Sequence, residues 1–451
     1  MIVMKFGGSS LESRESIERV ARIVASAKER HPLVVVSAMG KTTNRLIAMA
    51  EASELGARDK SETLLSELRE DTLALAKSSS TEIPELFEEL RELLIGLAIV
   101  RELTPRSLDL VASFGERISS LVVAEELKRI GLCASQEDSR RLVVTDNNFT
   151  QAAPIFSEIT RRCSESVLPR IKSEIIVVGG FIGATLNNET TTLGRGGSDY
   201  SAALLGAACN AEEIQIWTDV DGMLSCDPRI LAGGHRIRRI SFQEAAELAY
   251  FGAKVLHPST VLPAIEKNIP VRVLNSRNPE SDGTLISAES VACENIFKSI
   301  ACKTGIISLH IHSTRMLMAH GFLKMIFEIF DRYSTPVDMI ATSEVSVSVT
   351  IDSPKQLEEI VSELSQFSEV SVESHQSIVT LVGEGLQQRA GVLAELFAAV
   401  KELPVRMVSQ GASDRNITFV VQDSAVKETV SRLHAAFFSN YDETVFAPGS
   451  I

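Results

Sequence analysis

Ile175-Ile176-Val177-Val178-Gly179-Gly180-Phe181 is followed by Thr190-Thr191-Thr192-Leu193-Gly194-Arg195-Gly196-Gly197-Ser198-Asp199-Tyr200, and then by Ser201-Ala202-Ala203-Leu204-Leu205-Gly206-Ala207-Ala208. The apolar, β-branched run reads as a buried strand. The run of small and apolar residues reads as a helix. A glycine-rich turn feeding a helix N-terminus points several unpaired backbone N–H groups at one spot, where the helix dipole also favours negative charge. Arg195 adds a planar fork that suits a carboxylate or phosphate. The segment is suited to holding an anion next to a carboxylate, Asp199.

Working outward, short β-rich runs alternate with helical stretches over the first two-thirds of the chain. Ile2 to Phe6, Leu33 to Ser37, Ile175 to Gly179 and Ile214 to Trp217 read as buried strands. Glu12 to Glu29, Thr43 to Glu54, Glu116 to Ile130 and Phe242 to Ala249 read as helices. This alternation predicts a mostly parallel, three-layer α/β domain with ligands at the C-terminal ends of its strands. From about Arg58 to Arg101 the chain is rich in Glu, Leu, Lys and Ala with helical periodicity, and reads as a helical insertion with a solvated charged face. The turn signals Asn278-Pro279 and Asp282-Gly283 place a boundary near Ser290 to Ser299.

Beyond that boundary lies an internal repeat. Ile306 to Ile311, Gly321 to Phe327, Pro336 to Ile340 and Val345 to Thr350 form the first copy. Ile378 to Val382, Gly391 to Phe397, Pro404 to Val408 and Ile417 to Val421 form the second, and a further helix follows each. The order predicts two small ferredoxin-like βαββαβ units. A pair of domains that merely dimerises is one reading. A paired regulatory module is favoured, because Asp338, Thr342, Ser343 and Glu344 form a polar cluster that packing does not require.

The 451 residues suffice for two or three domains, and the formal net charge is −14. That diffuse acidic balance argues against nucleic acid or an anionic membrane as partner. The six cysteines form neither a C-x-x-C pair nor a metal-ligand pattern and read as reduced thiols. There is no signal-peptide pattern and no run of about 18 apolar residues, so the cytoplasm is the expected setting.

Taken singly, the other motifs are weak. Lys5-Phe6-Gly7-Gly8-Ser9-Ser10 ends a strand with a lysine and two glycines, an arrangement common in turns. Gly40-Lys41-Thr42 fails as a P-loop tail, because Val35 stands where a glycine is required. Gly194 to Asp199 fails as a dinucleotide fingerprint, because Asp199 replaces the last glycine. In Ser113-Phe114-Gly115-Glu116, Glu116 suits a substrate ammonium, but spacing alone favours a first-turn glutamate complementing the helix dipole. Trp217-Thr218-Asp219 and Cys226-Asp227-Pro228-Arg229 suit a nucleotide edge or a simple turn. Phe251 to Pro258 offers Lys254 and His257, the histidine reading as a structural hydrogen-bonder. No Ser/His/Asp set and no metal-spaced histidine pair is evident.

In combination and order, these motifs resemble the aspartate kinases of the amino-acid kinase superfamily, over nearly the whole chain. The repeat, with Val337-Asp338 and Thr342 to Val347, resembles the first ACT domain of the monofunctional, lysine-sensitive class. The resemblance implies a three-layer α/β/α, carbamate kinase-like domain over 1–295 and ferredoxin-like ACT domains over 300–372 and 376–445, with the C-terminal end packing back on the first. It implies transfer of the γ-phosphoryl of ATP, with Mg²⁺, to the side-chain carboxylate of L-aspartate, at the head of lysine, diaminopimelate, methionine and threonine biosynthesis. Lys5, Asp199 and Arg195 would be catalytic. Thr43, Glu116, Phe181, Arg195 and Ser198 would bind aspartate. Lys5, Gly7, Gly8, Ser9, Thr218, Asp219, Asp227, Arg229, Lys254 and Val255 would bind ATP. Met316, Leu323, Asp338, Thr342, Ser343, Glu344 and Val345 would bind an effector, L-lysine. Mg²⁺ would bridge phosphate oxygens, with no dedicated protein metal site. A homodimer or a dimer of dimers through the ACT domains is implied. The chain departs from the family pattern at Ser9 (usually threonine), at Met39-Gly40-Lys41-Thr42 (where Lys41 adds charge near the substrate pocket), at Leu224 (tyrosine in lysine-sensitive relatives) and at Ala319 (serine). A kinase acting on glutamate, acetylglutamate or carbamate, and a non-catalytic amino-acid sensor, are the competing readings.

Overall fold

The computed structural model describes residues 1–76, 81–252, 258–291, 293–314, 320–353 and 355–448. The chain forms two compact units. The first comprises Met1–Met223, Arg238–Phe242 and Val255–Ser290; the second comprises Leu224–Ile237, Gln243–Lys254 and Val291–Ile451.

The first unit is built on an eight-stranded sheet. Its order is Ala134–Glu137, Ile175–Gly179, Pro32–Val36, Ile2–Phe6, Glu213–Thr218, Val271–Asn275, Thr284–Ser287 and Arg239–Ser241. Every neighbouring pair is parallel except Val271–Asn275 with Thr284–Ser287. The central strands are buried throughout, which explains why their sequences are apolar apart from Lys5. Ile2, Met4 and Phe6 point into a core shared with the helices Arg14–Ser26, Thr42–Glu54 and Pro105–Arg129. The insertion forms two helices, Arg58–Ala76 and Glu82–Val100. Its Leu65, Leu68, Phe87 and Leu90 join the same core. Its charged face carries exposed pairs such as Arg69–Glu88 at 3.1 Å, each contributing little stability.

One helix differs from expectation. The segment expected to start at Glu116 begins eleven residues earlier, at Pro105, and runs to Arg129. Thr104 caps it by accepting from the Ser107 N–H at 3.1 Å, and Pro105 fits the first helical position, where no N–H is needed. Glu116 is therefore a mid-helix residue, and the helix-dipole account of it fails.

In the second unit six antiparallel strands run in the order Ile340–Thr342, Ser346–Ile351, Ser299–His312, Glu369–Val382, Asn416–Gln422 and Met407–Ser409. The helices Phe322–Arg332, Leu357–Leu364, Val392–Ala399 and Val426–Phe438 belong to the two repeats. Phe322, Ile326, Ile329 and Phe330 recur at helical spacing and fill the core of the first repeat. The repeats share their two longest strands. Ser299–Lys303 pairs with Ile378–Val382, and Ile306–His312 pairs with Glu369–Gln376, with register shifts around Ile306. Glu244 also lies in this unit, 2.9 Å from Lys298, both side chains almost fully buried. Glu247 accepts from Ser413 and Asn416, each at 2.7 Å. Among the described residues no helix is long and apolar enough to cross a membrane, and all six cysteines are free.

Candidate active site

The C-terminal ends of three adjacent parallel strands, Ile175–Gly179, Pro32–Val36 and Ile2–Phe6, open into one cavity of about 320 Å³. Lys5 and Gly8 line it from the first strand of the chain, and Ser37, Ala38 and Gly40 from the second. Phe181, Thr43, Glu116, Gly194, Gly196, Gly197, Ser198 and Asp199 complete the wall.

Strand alternation sets the position of Lys5. Met4 and Phe6 face the core, so Lys5 faces the opposite side of the sheet. There its ammonium lies 2.7 Å from the Asp199 carboxylate, in the first turn of the helix Gly197–Ala208. Lys5 is 10% and Asp199 16% exposed, so the pair is only weakly screened by solvent.

Glu116 enters from the other face of the sheet. A Cβ at Gly179 would lie 2.9 Å from the Glu116 Cβ, and a Cβ at Gly180 would lie 2.7 Å from the Ser198 Cβ. The absent side chains let two helices, one carrying Glu116 and the other carrying Ser198 and Asp199, close on the same strand end. Glu116 Oε1 accepts from the Ala38 N–H at 3.1 Å. Its Oε2 is buried and has no hydrogen-bond partner among the described residues. Loss of hydration pushes its pKa up to about 8, and the Ala38 N–H only partly offsets this. A buried carboxyl with one oxygen lacking a protein partner among the described residues lines the cavity, and its ionised form is a fitting partner for an ammonium group.

The glycine-rich turn is held from below. Gly194 and Gly196 adopt φ of 76° and 71°, conformations that L side chains seldom take, and Gly196 caps the helix Gly197–Ala208. Arg195 between them is exposed and has no ion-pair partner among the described residues. The turn is anchored by Asp109, whose carboxylate accepts from the Thr192 N–H at 2.9 Å, the Thr192 hydroxyl at 2.7 Å and the Thr150 N–H at 2.8 Å. Phe181 also adopts a left-handed φ, 65°, fixed by its N–H donating to Ser201 Oγ at 2.9 Å.

The structure thus brings together Lys5, Gly8, Thr43, Glu116, Phe181, Ser198 and Asp199, with Arg195 on the same turn. Ser37, Ala38, Gly179, Gly180 and Asp109 escaped sequence reasoning. The double glycine at a strand end was the one available signal. Lys41 is exposed at the start of the helix Thr42–Glu54 and does not line the cavity. Gly7 donates to the Trp217 carbonyl at 3.1 Å, and Ser9 follows in a single 3₁₀ turn. Thr218 ends its strand beside an exposed Asp219. Asp227 and Arg229 belong to the second unit and pair with each other, the Asp227 carboxylate also accepting from the Arg229 N–H at 2.8 Å. Leu224, in the same unit, accepts from Ser299 Oγ at 2.7 Å through its carbonyl. Lys254, Val255, Met316 and Ala319 lie outside the described residues.

Of the residues expected to meet an effector, Leu323 is exposed on the helix Phe322–Arg332. Thr342, Ser343 and Glu344 are exposed at a strand end, and the Val345 carbonyl accepts from Ser313. Asp338 is buried beside Lys303. Desolvation holds its carboxyl above the usual range even though Lys303 opposes the shift.

Residues 1–275 match the model of the amino acid kinase family, and residues 379–437 match that of an ACT domain. The chain is 40% identical to the chloroplastic aspartokinase 3 of Arabidopsis thaliana, across 97% of this chain and 81% of that one. Two crystal structures of E. coli aspartokinase III each superpose with a TM-score of 0.83, covering 97% of this chain and all of theirs. One, 36% identical, holds aspartate and ADP in the R-state; the other, 37% identical, holds lysine and aspartate in the T-state.

Proposed function

The chain belongs to the amino acid kinase family and, within it, to the aspartokinases, and from this we propose that it phosphorylates the side-chain carboxylate of L-aspartate with ATP. The observation that carries the assignment to this cavity is Glu116, a buried carboxyl with one oxygen lacking a hydrogen-bond partner among the described residues, lining the same cavity as the Lys5–Asp199 pair. Glu116 receives the α-ammonium of aspartate, and Arg195 takes the α-carboxylate. Thr43, Phe181 and Ser198 fill the space around them. The side-chain carboxylate, with a reference pKa of about 3.9, is already ionised and needs no general base.

The obstacle is repulsion between that carboxylate and the polyphosphate. Mg²⁺ supplied with ATP would offset part of that repulsion with its positive charge. Lys5 and the backbone around Gly7, Gly8 and Ser9 neutralise the transferring phosphoryl group, and Asp199 fixes the Lys5 ammonium in place. A carboxylate oxygen forms the new O–P bond as the bond from the γ-phosphorus to its bridging oxygen breaks. ADP leaves with that electron pair, and no proton is transferred. Thr218 and Asp219, at the end of the strand Glu213–Thr218, serve the nucleotide. The lysine-bound relative and the polar cluster around Asp338 support L-lysine as the inhibitor. Exposed Leu323, Met325 and Ile340 support pairing of two copies through the first repeat.

A hydroxamate assay with MgATP and L-aspartate tests this directly, because hydroxylamine traps an acyl phosphate. Product is expected, and it should fall when L-lysine is added. Turnover of glutamate in place of aspartate would overturn the substrate assignment. Arg195→Ala should raise the aspartate KM and lower kcat; unchanged kinetics would remove Arg195 from the site.

A further inference from the structure

Lys303 sits where the long strand Ser299–His312 shifts register against its neighbour. Its ammonium lies 2.7 Å from Asp338 Oδ1 and 3.0 Å from Asp352 Oδ2. The two carboxylates differ in setting, since the Asp338 side chain is 5% exposed and that of Asp352 is 42% exposed. The deeply placed carboxylate assigned to an effector ammonium therefore already holds an ammonium supplied by the chain. A primary ammonium on a four-carbon stem is the same chemical group that free lysine would present.

We infer that Lys303 is a tethered competitor for the effector: it occupies Asp338 in the absence of L-lysine and withdraws to Asp352 when L-lysine binds. The inference rests on the effector reading of Asp338. Lys303, Asp338 and Asp352 together carry one net negative charge, so a second ammonium is welcome there. On the Asp338 carboxylate, however, it would lie against the Lys303 ammonium, and like charges that close in a partly buried site repel strongly. Asp352 relieves that repulsion. It is already within ion-pair distance and more exposed, so a rotation of the Lys303 side chain transfers the charge to a solvated partner. An attached group competes at a fixed effective concentration, so Lys303 sets the lysine level at which inhibition begins.

Inhibition curves for the full chain test the idea. Lys303→Met keeps the length of the stem and removes the charge. It should lower the half-inhibitory L-lysine concentration roughly fivefold, about what a partly exposed ion pair contributes. Activity without lysine should stay at the wild-type level, which also reports that the variant folds. Asp352→Asn removes the alternative partner and should shift the curve the opposite way. An unchanged or raised half-inhibitory concentration in Lys303→Met overturns the competitor role. Asp338→Asn separates this inference from the reading beneath it. If that variant keeps wild-type inhibition, the effector assignment of Asp338 fails. If it abolishes inhibition while Lys303→Met leaves the curve in place, only the competitor role fails. A wild-type enzyme insensitive to lysine overturns both.

Discussion

Replacing Lys5 with methionine should reduce kcat by roughly 10²- to 10³-fold, the usual cost of removing one group aimed at developing charge in a water-poor site. The side chain is nearly buried and lies 2.7 Å from Asp199, so its ammonium is fixed before substrate arrives. Methionine retains most of the volume but leaves Asp199 with no cation at that distance. The single variant should therefore also lose stability, because a carboxylate that is 16% exposed is stranded. Lys5→Met combined with Asp199→Asn should recover the melting temperature but not the rate. A double variant that melts like wild type yet stays slow shows that the loss of rate is not a loss of folding. A kcat within tenfold of wild type in a folded Lys5→Met protein would remove Lys5 from the phosphoryl-transfer step.

The second large effect is expected at Glu116. Glutamine keeps the shape and the bond to the Ala38 N–H but cannot offer a charge to the substrate ammonium. Breaking a buried charge pair costs about 2–5 kcal/mol. The aspartate KM of Glu116→Gln should therefore rise by roughly 30-fold or more, with the ATP KM little changed. The pKa of about 8 adds a second signature. In the empty cavity the group is mainly protonated at neutral pH, and binding an ammonium requires the ionised form. The wild-type aspartate KM should fall as pH rises towards 8, and the dependence should flatten in the variant.

Stability should move the other way. The folded-state pKa is raised, so between about 4.5 and 8 the native protein holds a proton that the unfolded chain has released. The native state accordingly loses stability as pH rises through that window. Glutamine removes this penalty, so Glu116→Gln should melt higher than wild type at pH 8, and the difference should disappear near pH 4. Equal melting temperatures at pH 8 would contradict the desolvated carboxyl.

The residues that were legible in the sequence are those whose local pattern already contains their reason. Ile2–Phe6 and Ile175–Gly179 are largely apolar, β-branched runs that end at glycine, and the structure gives both strands the bounds their sequence predicts. Lys5, Ser198 and Asp199 stand at a strand end and at a helix start, where fold geometry gathers ligands. Glu116 depended on the resemblance, because a glutamate in the middle of a helix has no local signature. Only the approach of Gly179 and Gly180, more than sixty residues away, gives it a function. Asp109 is similar. It looks like an ordinary helical aspartate until Thr150 and Thr192 turn three donors towards it. The helix start at Pro105 is different: Thr104-Pro105 also suits a turn, and it is the Ser107 N–H donating to the Thr104 hydroxyl that makes it a cap. The pairing of Ser299–Lys303 with the second repeat rests on strand register, which a repeat pattern does not reveal.

That shared pairing bears on how the protein is made. During synthesis Ser299–Lys303 emerges before the whole first repeat, yet its partner Ile378–Val382 emerges after it. The interval leaves half of a hydrophobic strand as an open edge, the kind of surface that recruits other nascent chains. The two repeats must therefore complete folding together and late. Neither is a cassette that recombination or proteolysis can remove while leaving the other whole.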